Sequence, residues 1–345
     1  MTHRRLLLFA VATILSVALV GCDLLGNDDD APAPVTSGVY VANQGQFGPG
    51  TGSVSVYNPQ SDSASPRAID GLNSIVQSIA LRDDRLYLTA NTGGRLDVFA
   101  PTSLNPVGQV SQEMPSPRYI AFPNDRTAYV TNLFDDVSVV DLPSNTVTDT
   151  IVTGGSPEGI TVAGNRVYTA LGAFSASSEV AVIDPAADTV TTTIDLGCTA
   201  RFVLADAQND VFALCNDSQT GQAVVLNGTQ EQARLPLPDS VSTAGPGQDA
   251  HYAPDAELLH VVVNKDRLVR INTATNEVVE TIGPVSGPPI GAVGYDANRQ
   301  ELYLGRVPSF TEAGSVTIHD RNGTRTGSFS AGVVPTYITI NRARQ

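Results

Sequence analysis

Three kinds of catalytic signal are missing from this chain of 345 residues. It has no His-Glu-x-x-His, no Gly-x-Ser-x-Gly and no Gly-rich phosphate loop. Those motifs carry a zinc-held water, an exposed serine nucleophile and a nucleotide cradle. Positive charge is short as well. Twenty Lys and Arg face 35 Asp and Glu, for a formal net charge of −15, and Lys265 is the only lysine. So acidic a surface repels nucleic acid and anionic lipid, and neither is expected as a partner. Beyond His3 the histidines are His251, His260 and His319, too scattered in sequence to read as a metal set. No apolar run reaches the about 20 residues of a spanning helix. The run Leu6–Val20 stops at 15 residues.

That run has a different reading. Arg4 and Arg5 precede it, and Leu19-Val20-Gly21-Cys22 follows as a lipobox. The pattern resembles bacterial lipoproteins, in which the Cys becomes the lipidated first residue of the mature chain. Residues 1–21 are then a signal peptide, and Cys22 is the expected lipidation site. Residues 22–37 are acidic and Pro-rich, with Asp28–Asp30 at their centre, and are expected to form a flexible tether. Acidic residues just after a lipid Cys also resemble the signal that sends lipoproteins to the outer surface in some Gram-negative groups. The expected address is therefore the cell envelope, anchored to the outer membrane by lipid. Residues 1–21 hold two Arg and no acid, so the remainder carries 18 basic and 35 acidic residues, a net charge of −17.

The body of the chain is periodic. Short strands centred on an aromatic recur at Tyr40, Tyr87, Tyr129, Tyr168, Phe212 and Tyr303, with His260 in the equivalent place between the last two. These anchors lie 47, 42, 39, 44, 48 and 43 residues apart. A period in the forties built of short strands is the sequence form of a β-propeller blade. The fold class is therefore all-β: a seven-bladed propeller over residues 38–341, with four strands per blade and a tail at 342–345. The copies are permuted. The chain opens on a second strand and closes on a first strand, Thr336–Ile340, which should join the first blade beside Val39–Asn43 and close the ring. Two cysteines, Cys198 and Cys215, flank neighbouring strands of one blade. An oxidising compartment favours a bridge. A turn centred near Gln208 would set Cys215 opposite 201 rather than 198, so the spacing leaves the pairing open.

Tyr129-Val130-Thr131-Asn132, followed by Val137-Ser138-Val139-Val140-Asp141, resembles the YVTN family of propeller repeats found in surface and periplasmic proteins. The opening Val39–Gly48 with Gly52–Tyr57 resembles a lipoprotein branch of Gram-negative cell surfaces. Some members of that branch capture cobalamin for a TonB-dependent outer-membrane transporter. The resemblance thus implies a non-catalytic binding module, with a corrinoid as ligand and such a transporter as partner. No cofactor and no metal are expected. Two other classes stay open: a structural or adhesive surface protein that binds a protein or glycan, and a propeller hydrolase or oxidoreductase.

In a propeller, the loops joining second to third strands share a face with those leading into first strands. Function on rigid scaffolds concentrates on such loops. The candidate ligand residues on that face are Asn43, Phe47, Asn91, Arg118, Asn132, Phe134, Arg201, His251, Arg306 and Phe310. Amides and guanidinium groups with aromatic platforms suit a large polar ligand with flat parts. Glu158, Phe174, Gln248 and Lys265 fall on the same loops. His260 takes the place of a core aromatic, which points to packing rather than ligation.

Overall fold

A computed structural model describes residues 35–343, apart from 49, 112–113, 135, 173–174, 217–219 and 243–246. The signal peptide, Cys22 and most of the tether lie outside the described residues, as does Phe174.

Seven antiparallel sheets of four strands each form the ring. Blade I combines Val35–Asn43, Ser53–Asn58 and Ser63–Ile69 with the last strand, Pro335–Ala343. Blades II to VII follow in chain order. Their innermost strands are Val76–Arg82, Pro117–Ala121, Ile160–Ala163, Thr199–Ala205, Ala250–Ala253 and Ile290–Asp296. Each innermost strand touches the innermost strand of the next blade, and Pro335–Ala343 touches those of blades VII and II. The ring is thus closed by the C-terminal strand. It pairs antiparallel with the opening strand from Val35↔Ala343 to Asn43↔Pro335. Closure removes the free sheet edges that would otherwise template association. Among the described residues no helix is long and apolar enough to cross a membrane.

The recurring aromatic has a physical job in the ring. All seven anchors, His260 included, are buried between blades. Three of the phenol ends then reach the turn joining the third and fourth strands of the next blade. Tyr40 donates to Pro101 O at 2.9 Å, Tyr168 donates to Gly228 O at 3.1 Å, and Tyr129 donates to Asp188. A large ring fills the wedge between two sheets while its hydroxyl satisfies a turn, which is what a buried tyrosine needs. His260 keeps the packing half of this role. It lies 4.5 Å from the Tyr295 ring and accepts from Arg270 Nε at 3.0 Å. Burial, with Arg270 and His251 beside it, holds its imidazole well below the ordinary value.

Cys198 and Cys215 form a disulfide, with Cα atoms 5.7 Å apart. A β-bulge between Ala200 and Phe202 shifts the register so that Cys215 lies opposite Ala200. That one-residue slip brings Cys198 within reach, which an unbulged hairpin would not. The bridge closes a loop of 17 residues. Chain entropy then predicts that Cys198→Ser with Cys215→Ser costs about 3 kcal/mol. Guanidinium unfolding of the two proteins measures this, and coincident midpoints would contradict it.

Candidate functional site

The same kind of bulge shapes the channel. The inner strands of blades II, III, V and VII each slip register near their start, at Val76/Ile79, Pro117/Ile120, Ala200/Phe202 and Ile290/Ala292. The closing strand does so between Pro335 and Tyr337. A bulge re-aims a side chain. The residues placed there are Gln77, Arg118, Arg201, Gly291 and Thr336. Glu158 and Asp249 stand at the matching points of blades IV and VI. One position from each blade therefore meets at one end of the channel.

Four of these seven form a charged belt. Glu158 lies between two arginines. Arg118 donates to it from Nε at 2.7 Å and Nη2 at 2.5 Å, and Arg201 donates from Nε at 3.1 Å. Arg201 Nη1 reaches Asp249 at 3.2 Å, and its Nη2 donates to the Tyr119 hydroxyl at 3.1 Å. Arg118 Nη1 donates to Gln77 at 2.7 Å. Arg118, Glu158, Arg201 and Asp249 are all buried. Burial alone would raise the Glu158 carboxyl, but Arg118 and then Arg201 outweigh it and hold it below its ordinary value. Asp249 is served less well. Arg201 is shared with Glu158 and Tyr119 and gives it one contact. Burial therefore dominates and pushes Asp249 up to about 6, although Arg201 and Lys265 offset part of the rise.

The two acids respond to pH in opposite senses. Asp249 holds its proton more tightly in the folded chain. Its share of stability is fully present below its ordinary value of 3.8 and is lost as the pH rises through about 6. The share of Glu158 is present above its ordinary value of 4.5 and is lost as the pH falls. Asp249→Asn should therefore gain on the native protein by up to about 3 kcal/mol between about pH 4 and about pH 7. Urea unfolding at both pH values tests this. A difference that does not change with pH would contradict it.

Above the belt, on the loop face, a pocket of about 340 Å³ opens between blades VI, VII and I. Pro289, Ile290, Val307 and Phe310 supply an apolar wall, while Asp249, Lys265 and Thr336 supply polar groups. A smaller cavity of about 180 Å³ shares Ser242, Asp249 and Lys265 with it. Gly291 keeps the pocket open. A Cβ there would lie 2.5 Å from Val307 Cγ2 and 2.7 Å from Pro335 O. Asn264 and Lys265 both adopt left-handed backbone, with φ of 49° and 57°. Lys265 O accepts from Ile290 N at 2.8 Å, so the only lysine is fixed against the pocket wall.

Three phenylalanines crown this face. Phe47, Phe134 and Phe310 are each 61% exposed, although water disfavours a bare phenyl ring. They sit in the second-to-third-strand loops of blades I, III and VII. Gln46 Nε2 reaches Thr311 O at 3.5 Å and links the loops of Phe47 and Phe310.

The other expected residues are spent within the protein. Asn43 Nδ2 donates to Ser55 Oγ at 2.9 Å, and its Oδ1 accepts from Gly332 N at 3.0 Å. Asn91 donates to Pro117 O at 3.1 Å, and Asn132 donates to Ser138 Oγ at 2.8 Å. Arg118 and Arg201 belong to the belt. Arg306 is buried and donates to Pro288 O and Ser286 O, each at 3.0 Å. His251 is displaced from the expected face. It lies within strand Ala250–Ala253 and lines the channel toward the opposite mouth, because the loop leading into that strand ends at Asp249. Asp249 was not expected at the site. Its signal is positional: it occupies the slot that Arg118 and Arg201 hold in their blades. Among the described residues no group of three His, Cys, Asp or Glu could hold a metal.

Comparison with known proteins supports the architecture. The model of a family described as a domain of unknown function, DUF5074, matches residues 37–218. Among curated proteins none matches the chain in sequence. Hydrazine synthase of Kuenenia stuttgartiensis is similar in structure, with a TM-score of 0.65 at 16% identity over 77% of this chain and 95% of that one. A quinonprotein alcohol dehydrogenase-like protein from Bacteroides thetaiotaomicron has a TM-score of 0.65 at 11% identity, over 90% of this chain and 79% of that one. The dihydro-heme d1 dehydrogenase NirN gives 0.58 at 12%, with the same coverage. At such identities the likeness concerns the fold alone.

Proposed function

Because that match spans more than half of it, the chain belongs to the DUF5074 family, and from that premise we propose that it is a binding module of the cell envelope, tethered through a lipid on Cys22. Its crowned face captures a nutrient, with a corrinoid such as cobalamin as the first ligand to test, and passes it to an outer-membrane transporter. The observation that carries this reading is the crown. Phe310 lines the pocket, Phe47 and Phe134 stand exposed on other loops of the same face, and exposed aromatics of this kind are anchors for ligands. The pocket, at about 340 Å³, is at the small end of the range for drug-sized ligands, so it takes one arm of a corrinoid while the crown holds the macrocycle.

A thermal-shift screen of the full chain against cobalamin, cobinamide, haem, siderophores and divalent metals tests this. At 100 times its Kd a ligand adds about 2.7 kcal/mol of stability. A shift with corrinoids supports capture, and no shift with any of them defeats the corrinoid assignment. One observation favours a second reading, a propeller enzyme. Asp249 has a raised carboxyl pKa beside Lys265 in an open pocket, a setting in which general acids and bases are found. Capture predicts that Asp249→Asn still binds ligand, and catalysis predicts that it binds but does not turn over.

A further inference from the structure

The channel below the belt is a second cavity, open to the opposite face. An inner chamber of about 240 Å³ begins beneath Arg118, Glu158 and Arg201. It runs into a wider mouth of about 830 Å³, and His251 and Tyr252 line both. The chamber shares no lining residue with the pocket on the loop face, and the belt stands between the two. The roof of the chamber is aromatic. The Tyr119 and Phe202 rings stand nearly perpendicular with centroids 5.4 Å apart, and Tyr337 lies 6.1 Å from Tyr119.

We propose that this chamber is a binding site for a small, neutral, planar heteroaromatic molecule. Three observations define the class. First, among the described residues no Asp, Glu, Lys or Arg lines the inner chamber. A charged guest would lose its hydration without gaining a counter-charge, which is costly. Second, Tyr119, Phe202 and Tyr337 offer ring faces and edges, which stack on flat guests. Third, Gln248 lines the chamber with its Oε1 already accepting from Ile338 N at 2.9 Å. Its amide N–H is the group turned to a guest, so the guest carries a hydrogen-bond acceptor on its ring edge. The inner volume is below the about 300 Å³ at which drug-sized sites begin, so it holds one fused ring system, with any substituent in the mouth. This site is separate from the crowned face and does not depend on what binds there.

The chain contains no Trp, so an azaindole probe can be read against tyrosine alone. The full chain is titrated with 7-azaindole, and separately with 7-azaindole-3-carboxylate. Saturable binding of the neutral probe is expected, with a blue-shifted emission and an induced near-UV circular dichroism as the achiral ring is held. The carboxylate should bind at least about tenfold more weakly, a gap of 1.4 kcal/mol. Tyr337→Leu and Gln248→Glu should each weaken the neutral probe by a similar factor. Replacing Phe47, Phe134 and Phe310 by Ala should leave it unchanged, which separates this site from corrinoid capture. The induced dichroism of the native protein keeps the test decisive if either channel variant fails to fold. Absence of saturation and of induced dichroism, equal binding of the two probes, or binding lost with the crown would each overturn the proposal.

Discussion

Glu158→Gln is expected to destabilise the protein by about 3–5 kcal/mol. The glutamine keeps the shape of the side chain and removes its charge. Arg118 and Arg201 would then face each other through a neutral amide, both buried, with Asp249 left as the only acid in the belt. A buried cation without its counter-charge is among the most costly defects a core can carry. Replacing Arg118, Glu158, Arg201 and Asp249 together by Met, Leu, Met and Leu should cost less than Glu158→Gln alone, because no charge of the belt is then stranded. Guanidinium unfolding of the three proteins gives the answer. A loss below about 1 kcal/mol for Glu158→Gln would mean that water reaches the belt.

Removing residues 335–345 should abolish the folded monomer. The closing strand pairs with the opening strand along its whole length and buries Ile338 in the wedge between blades I and VII. It also supplies Tyr337 to the channel and Val39 with its neighbour Ile340. Each large apolar side chain returned to water costs about 1.5–3 kcal/mol, and each ladder hydrogen bond about 0.5–1.5 kcal/mol. Together these reach on the order of 10 kcal/mol, which matches the whole stability of a typical domain. Val35–Asn43 would also become a bare edge and invite association. Loss of the cooperative melt and a shift to aggregates in size-exclusion chromatography are the expected results. A monomer melting cooperatively within a few degrees of the native protein would contradict ring closure by this strand.

The blades were legible because each repeats one packing problem. A Tyr, Phe or His must fill the wedge between two sheets, and its spacing along the chain counts the wedges. The permuted closure was legible for the same reason, since Thr336–Ile340 reads as a first strand with no second strand after it. The exposed Phe47 and Phe310 were legible from loop position, and Phe134 was legible as a residue of the same face. The buried arginines were not. Arg118, Arg201 and Arg306 follow the residue pattern of loop ends, and charge argues for exposure. Bulges turn Arg118 and Arg201 inward, and a bulge leaves little trace in alternation. His251 was misplaced for a different reason: it lies inside its strand, paired with His260, and not in the loop that leads into it. The belt would have been visible by superposing the first strands of the blades, where Gln77, Arg118, Glu158, Arg201 and Asp249 fall on one position.

Isothermal titration of cyanocobalamin into the native chain and into the Phe47→Ala, Phe134→Ala, Phe310→Ala variant tests the central claim most directly. The account predicts saturable binding to the native chain and at least about tenfold weaker binding to the variant, with both proteins unfolding at the same temperature. Equal affinity for the two proteins would contradict the crown as the capture site, and heat of dilution alone from the native chain would contradict corrinoid capture itself.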